Sequence, residues 1–225
     1  MWVWSVGVKK NMKKILRENW ILITVYLTLL SAGIVVCIVY PKGDIHLYLN
    51  RFHSKPGDII FKYLTYIGDG LFSVAVVFIL LFIRFRYALM VLTSYLSSGL
   101  LVQVMKHFIF PDSPRPALFL KDSVDLYLIP GIDLHLHHSF PSGHSASAFA
   151  LLITLALIIK KRWAGILLLL MACFVAWSRV YISQHFLIDI IAGSIPGFLA
   201  ALIFYWYFHG LNKKWPGQSI VTFFR

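Results

Sequence analysis

Residues Trp20 to Tyr40 read WILITVYLTLLSAGIVVCIVY, twenty-one residues with no charged side chain among them. A bilayer's hydrocarbon core is crossed by about 20 apolar residues in α-helix, each advancing about 1.5 Å. Strands and irregular backbone cannot substitute, because lipid offers exposed N–H and C=O groups no hydrogen-bond partner. The stretch therefore predicts a spanning helix. The same reading extends to apolar runs at about 59–83, 87–110, 142–159, 163–178 and 185–209. Of the 225 residues 59% are hydrophobic and 13% charged, against roughly 25% charged in a soluble domain, and the mean hydropathy is +0.77. With no internal repeat and no low-complexity tract, these runs predict an all-α fold. It is one domain over 1–225, a polytopic membrane protein built as a six-helix transmembrane bundle.

The segments between the runs carry the orientation. Lys9, Lys10, Lys13, Lys14 and Arg17 precede the first run, and Arg84 and Arg86 separate the second from the third. Lys160, Lys161 and Arg162 lie between the fourth and fifth, and Lys213, Lys214 and Arg225 follow the last, making 13 of the 21 Lys and Arg in all. Short basic segments beside spans stay on the cytoplasmic side, so both termini are expected there. The net charge of +12, which in a soluble protein would suggest nucleic acid, is thus a topology signal. A basic N-terminus before an apolar run also fits a signal peptide. This run is too long for a signal core and no small-residue cleavage site follows it, so it reads as a retained first span. Eight of nine acidic residues (all but Glu18) and eight of nine histidines (all but His209) fall on or near the opposite face. Short loops and this charge pattern suit a bacterial inner membrane, with the polar chemistry on the extracytoplasmic side. Cys37 and Cys173 sit inside apolar runs and read as packing residues, not as a disulfide or metal pair.

Three clusters reach that outer face. His185 and Asp189, four residues apart, would share one face of a helix. The carboxylate could then take the Nδ1 proton, fix the tautomer and leave Nε2 as a nucleophile. An acidic residue within a span is costly enough to mark function by default. A structural polar pair is the alternative. In the second cluster, Pro141 stops a helix from extending backwards, Ser142 is an N-cap, and Gly143 permits close approach. The first-turn amides and dipole of such a helix bind anions, and His144 in that turn could protonate a leaving group. The third feature is a set of cations. Arg115 and Arg179 present planar forks suited to phosphate oxygens and Lys106 adds a point charge, although snorkelling at span ends would also explain them.

Lys106…Arg115-Pro116, Pro141-Ser142-Gly143-His144 and Ser178-Arg179-x5-His185-x3-Asp189 together resemble the three signatures of the type 2 phosphatidic acid phosphatase (PAP2) superfamily, over roughly residues 100–205. The resemblance implies a membrane hydrolase that removes phosphate from lipids without metal or cofactor. In that scheme His185 forms a phosphohistidine, Asp189 orients it and His144 protonates the leaving alkoxide. Lys106, Arg115, Ser142, Gly143 and Arg179 hold the phosphoryl oxygens. One departure stands out: the family pattern has six residues between its Lys and Arg-Pro, and here there are eight. Pro111 and Pro114 could let a bulged turn absorb the excess.

The expected partners are a phosphorylated lipid and membrane lipids, with no nucleic acid and no obligate protein partner. Among substrates, lipid A and undecaprenyl diphosphate are favoured over phosphatidylglycerol phosphate and phosphatidic acid. A phosphotransferase between lipids, or a non-catalytic lipid-binding or transport bundle, is the alternative. Asp133, His135, His137 and His138 in the 111–140 loop could bind a divalent metal, but a solvated loop over the site is the preferred reading. Phe119 and Leu126–Ile129 in that loop could touch acyl chains or pack on the bundle.

Overall fold

The structure, a computed structural model, describes residues 6–122, 126–211 and 218–223, with side chains from Met12 to Thr222. Lys213, Lys214, Arg225 and the side chains of Lys9 and Lys10 lie outside the described residues. The regular elements of the described chain are all helical, with no strand among the described residues: α1 Val6–Glu18, α2 Trp20–Val39, α3 Lys42–Asn50, α4 Lys55–Leu64, α5 Gly70–Ile83, α6 Phe85–Val104, α7 Pro116–Phe119, α8 Gly143–Ile159, α9 Arg162–Tyr181, α10 Leu187–His209 and α11 Ile220–Phe223.

Among the described residues four helices are long and apolar enough to cross a membrane: α2, α9, α10, and α6 with its continuation to Ile109. The run expected as one span over 59–83 is broken. α4 and a 3₁₀ turn at Thr65–Gly68 meet α5 at a bend of 57°, giving a fifth span if the pair is counted as one. The break follows from local chemistry. The Asp69 carboxylate caps α5 by accepting from the Leu71 N–H at 3.3 Å, and a Cβ at Gly68 would stand 3.0 Å from the His144 carbonyl. The stretch 41–58, between the first two apolar runs, contains α3 and the start of α4, which Ser54 caps through the Gly57 N–H at 3.2 Å.

α8 has 17 residues and is the innermost helix, with Ala146, Ala148, Ala150, Leu151, Ile153 and Leu157 all fully buried or nearly so. Its neighbours are α6, α9 and α10. In lipid, helix association depends on close backbone approach and interhelical hydrogen bonds, since burial against another helix removes no surface from water. Both devices are present. A Cβ at Gly193 of α10 would collide with the Ser142 carbonyl, and one at Gly197 with the Ala146 carbonyl. The Thr154 hydroxyl donates to Ser94 Oγ, and Ser94 Oγ to the Ala200 carbonyl, both at 3.3 Å. Tyr26 of α2 stacks on Phe198 at 3.8 Å and is hydrogen-bonded to Ser194 at 3.1 Å. An apolar crevice of about 410 Å³ lies on this flank, among Tyr26, Phe149, Phe174 and Trp177.

Opposite ends of the bundle differ in chemistry. At one end Glu18, Lys160, Lys161 and Arg162 line a common recess. There Arg86 donates to the Leu211 carbonyl at 2.9 Å, and Lys160 Nζ lies 3.4 Å from His209 Nε2. The other end carries His46, Asp58, His144, His185 and the 126–140 loop.

Gly197→Val should loosen the α8–α10 contact by an overpacking cost of about 1–3 kcal/mol. Thermal unfolding in detergent should show a lower midpoint for it, whereas Gly99→Ala, whose Cβ would meet nothing within 4 Å, should leave the midpoint in place or raise it.

Candidate active site

Hydrogen bonds stitch the first turn of α8 to the first turn of α10. The Ser142 hydroxyl caps α8 by accepting from the Ser145 N–H at 3.3 Å, while the Ser142 N–H donates to the Asp189 carbonyl at 2.9 Å. Ser145 Oγ donates to the Ile190 carbonyl at 2.6 Å. The Pro-Ser-Gly-His segment and the His-x3-Asp segment, over forty residues apart in sequence, are thereby held in one place. The amides of Gly143 and His144 fall in the turn where a helix has no internal acceptors and a positive dipole end.

His185 and Asp189 do meet, though not on one helical face. His185 precedes α10, in a tight turn whose Gln184 and His185 N–H groups both donate to the Arg179 carbonyl, at 2.9 and 3.1 Å. Ser183 supplies the positive φ of 54° that closes this turn. Asp189 is the third residue of α10, and its carboxylate reaches back to accept from the Phe186 N–H at 2.9 Å. That capping geometry puts Asp189 Oδ2 at 3.4 Å from His185 Nδ1. The Nδ1 makes no hydrogen bond, and both residues are buried. Such contacts are often loose without substrate and tighten once it binds. Burial first, then Arg115, Arg179 and Lys106, hold the His185 pKa well below its ordinary value, so the ring is neutral and its lone pair free.

All three cations are 7–8% exposed. Lys106 sits on a π-helical turn, Met105–Ile109, in which the Phe110 N–H reaches back five residues to the Met105 carbonyl at 2.8 Å. A π turn holds more residues than an α turn, so this turn helps take up the eight-residue spacing to Arg115 and aims Lys106 inward. Arg115 donates from Nε to the His137 carbonyl at 2.9 Å and from Nη1 to Gln184 Oε1 at 2.8 Å. Arg179 Nη1 donates to Thr65 Oγ1 at 2.9 Å, while its Nε is buried and unpartnered. These cations, His144 and His185 lie within electrostatic reach of one another. Buried charge left without a counter-charge costs several kcal/mol per ion. The cluster therefore has the character of a socket for an anion carrying more than one negative charge.

Several residues of the site escaped the sequence reading. Ser139 Oγ donates to Asp189 Oδ2 at 2.5 Å, so the carboxylate is aimed by two donors. Gln184 accepts from Arg115 and donates from Nε2 to the Asp133 carbonyl at 2.9 Å. Its signal was present: a glutamine beside a buried histidine must find partners for both ends of its amide. His46, pushed down to about 4 by burial, holds Ser183 as a neutral ring at 3.1 Å. Asn50 and Asp58 pin Tyr127 through its backbone N–H, at 2.7 Å, and its hydroxyl, at 3.0 Å. The 126–140 loop thus meets the site mainly through backbone carbonyls. Among the described residues no group of three or more His, Cys, Asp or Glu is placed to hold a metal ion. Phe119 packs edge-on against Phe186 at 5.5 Å, with Lys42 4.3 Å over its ring, in line with the packing reading. Cys37 and Cys173 are free.

A helical membrane protein with such a cationic socket beside a neutral histidine defines a class, and the comparisons give it a name. Residues 87–213, more than half of the chain, match the family model of the PAP2 superfamily, and the chain belongs to that superfamily. The chain is similar to the lipid A 4'-phosphatase of Bacteroides thetaiotaomicron, 36% identical over 82 residues, a stretch that spans 36% of each protein. The fold is similar to the crystal structure of Aquifex aeolicus LpxE, at 26% identity and a TM-score of 0.61, over 72% of this chain and 93% of that one. It is also similar to a phosphatidylglycerolphosphate phosphatase of transmembrane PAP2 type from Bacillus subtilis, at 19% identity and a TM-score of 0.64, over 88% and 98%.

Ser139→Ala should lower kcat for phosphate release about tenfold to a hundredfold, equivalent to the roughly 1–3 kcal/mol of a lost buried hydrogen bond. KM should change little, and Ser139→Thr should retain most activity. Steady-state kinetics of the folded variants checks this.

Proposed function

We propose that this protein is a metal-independent lipid phosphate phosphatase working through a phosphohistidine. The observation that carries the reading is the burial of Lys106, Arg115 and Arg179 around His185, a set of charges completed by a phosphoryl group. His185 Nε2 attacks phosphorus, and the bond from phosphorus to the lipid oxygen breaks as His144 gives that oxygen a proton. Asp189 stabilises the ring as it becomes cationic. Water then attacks the phosphohistidine, losing a proton to His144, and the phosphorus–nitrogen bond breaks to free phosphate. Lys106, Arg115, Arg179, the Ser142 hydroxyl and the Gly143 amide hold the phosphoryl oxygens. Fixed donors aimed at developing charge supply this stabilisation without reorganisation.

The single domain is a bundle of six spans, counting the bent α4–α5 pair and the short α8, with both termini cytoplasmic and the site at the outer face. The gathering of Lys160, Arg162 and Arg86 at the end remote from His185 supports this orientation. The lipid is an envelope lipid phosphate or diphosphate, lipid A or undecaprenyl diphosphate before phosphatidylglycerol phosphate or phosphatidic acid.

Phosphate release by detergent-purified protein in EDTA, across those four lipids, tests the reading. His185→Ala and His144→Ala should abolish turnover while the protein still folds, and Lys106→Ala should weaken it. Full activity in His185→Ala, or activity lost to EDTA and restored by a divalent ion, would overturn the mechanism.

A further inference from the structure

Helix α3 packs against the turn that carries the nucleophile, yet none of its residues enters the mechanism above. Lys42, His46 and Asn50 are spaced four residues apart and so share one face of that helix. We infer that His46 is a positioning residue for His185, acting through Ser183 and Phe186 on either side of Gln184-His185. The inference rests on the phosphatase reading above and adds to it the side chain that aims the nucleophile.

His185 needs such help. Its Nδ1 makes no hydrogen bond, and Asp189 Oδ2 stands 3.4 Å away, so the backbone that presents the ring has to fix its aim. That backbone bends at Ser183, whose φ of 54° is one that a residue with a side chain keeps only where its surroundings hold it. His46 holds both flanks of the bend. Its Nε2 lies 3.1 Å from Ser183 Oγ, and its ring meets the Phe186 ring edge-on at 5.5 Å. Lys42 sits 4.9 Å over the same Phe186 ring, and the Phe186 N–H is one of the two donors that aim the Asp189 carboxylate.

Packing alone does not account for an imidazole here. His46, Ser183 and Phe186 are each 1% exposed, and His46 Nδ1 is buried without a partner. An apolar side chain would fill the space without burying that nitrogen. What the imidazole supplies is the contact to Ser183. Asn50 then ties the same hydroxyl to the outer loop. Its Nδ2 is shared among the Tyr127 carbonyl at 2.9 Å, His53 Nε2 at 3.2 Å and Ser183 Oγ at 3.4 Å, while its Oδ1 accepts from the Tyr127 N–H at 2.7 Å. The loop that begins there supplies the His137 carbonyl to Arg115 and the Ser139 hydroxyl to Asp189. One face of α3 thus sets the nucleophile's turn in register with the loop that orients Arg115 and Asp189.

The test is phosphate release in EDTA by the purified full-length protein and by His46→Leu, His46→Gln and Ser183→Gly, on whichever of the four lipids the wild type turns over fastest. Leucine keeps the apolar bulk and drops the hydrogen bond. Glutamine is neutral, as is a ring whose pKa burial pushes down to about 4, and it carries an amide to the place of Nε2. Glycine at 183 removes the hydroxyl but takes a positive φ readily, so Ser183→Gly carries the test should His46→Leu fail to fold. In His46→Leu and Ser183→Gly kcat should fall about tenfold with KM within about twofold of wild type, and His46→Gln should recover most of the loss. The double variant His46→Leu/Ser183→Gly should be no slower than the slower single one, because both changes remove one contact. Wild-type kcat in both single variants, a loss confined to KM, no recovery in His46→Gln, or losses that multiply in the double variant would each overturn the inference and leave the phosphatase reading standing. No release by the wild type from any of the four lipids would overturn both.

Discussion

Three buried cations, Lys106, Arg115 and Arg179, lie within electrostatic reach of His144 and His185, and the rest of the molecule is arranged around that imbalance of charge. Desolvating so much positive charge is expensive, and for the two guanidinium groups part of the hydrogen-bonding demand is met by fixed acceptors. Arg115 is held by the His137 carbonyl and Gln184, and Arg179 by Thr65. What these acceptors leave unmet is charge, and the proposed phosphoryl ligand would bring it. A socket fixed in advance in this way stabilises an anion more in a low-dielectric bundle than in water, because no dipole has to turn when the charge arrives.

Asp189 links the fold to the chemistry. One carboxylate oxygen caps α10 through Phe186, takes the Ser139 hydroxyl and faces His185, while the residue's carbonyl receives the Ser142 N–H. The residue proposed to aim the nucleophile thus also sets where α8 begins relative to α10. Gly193 and Gly197 make that approach possible from below, by bringing the two backbones closer than any side chain would allow. Precision at the site and tight packing of the innermost helix are consequences of the same contact.

Much of this was legible in the sequence, for identifiable reasons. Long uncharged runs can do little but span lipid, so α2, α6, α9 and α10 were placed within a few residues of their ends. The run at 59–83 was read as one unbroken span because hydropathy does not register a cap. Asp69 and Gly68 bend it, and their partners lie on α5 and α8. The histidine, serine and arginine positions were legible from spacing, yet the spacing suggested the wrong reason for the His185–Asp189 contact, which arises from capping and not from a shared helical face. The excess residues between Lys106 and Arg115 looked like a defect in the pattern, and a π turn helps absorb them. Ser139, Gln184 and Thr65 were missed because their roles depend on contacts between segments distant in sequence, which no local pattern encodes.

The central claim is that His185 carries the phosphoryl group between lipid and water. Brief incubation of the purified protein with lipid substrate labelled in the phosphate, followed by denaturing quench and peptide mapping, tests it most directly. The account predicts an acid-labile, base-stable label on the peptide holding His185, absent from His185→Ala. A label on another residue, or unimpaired turnover without any labelled peptide, would contradict it.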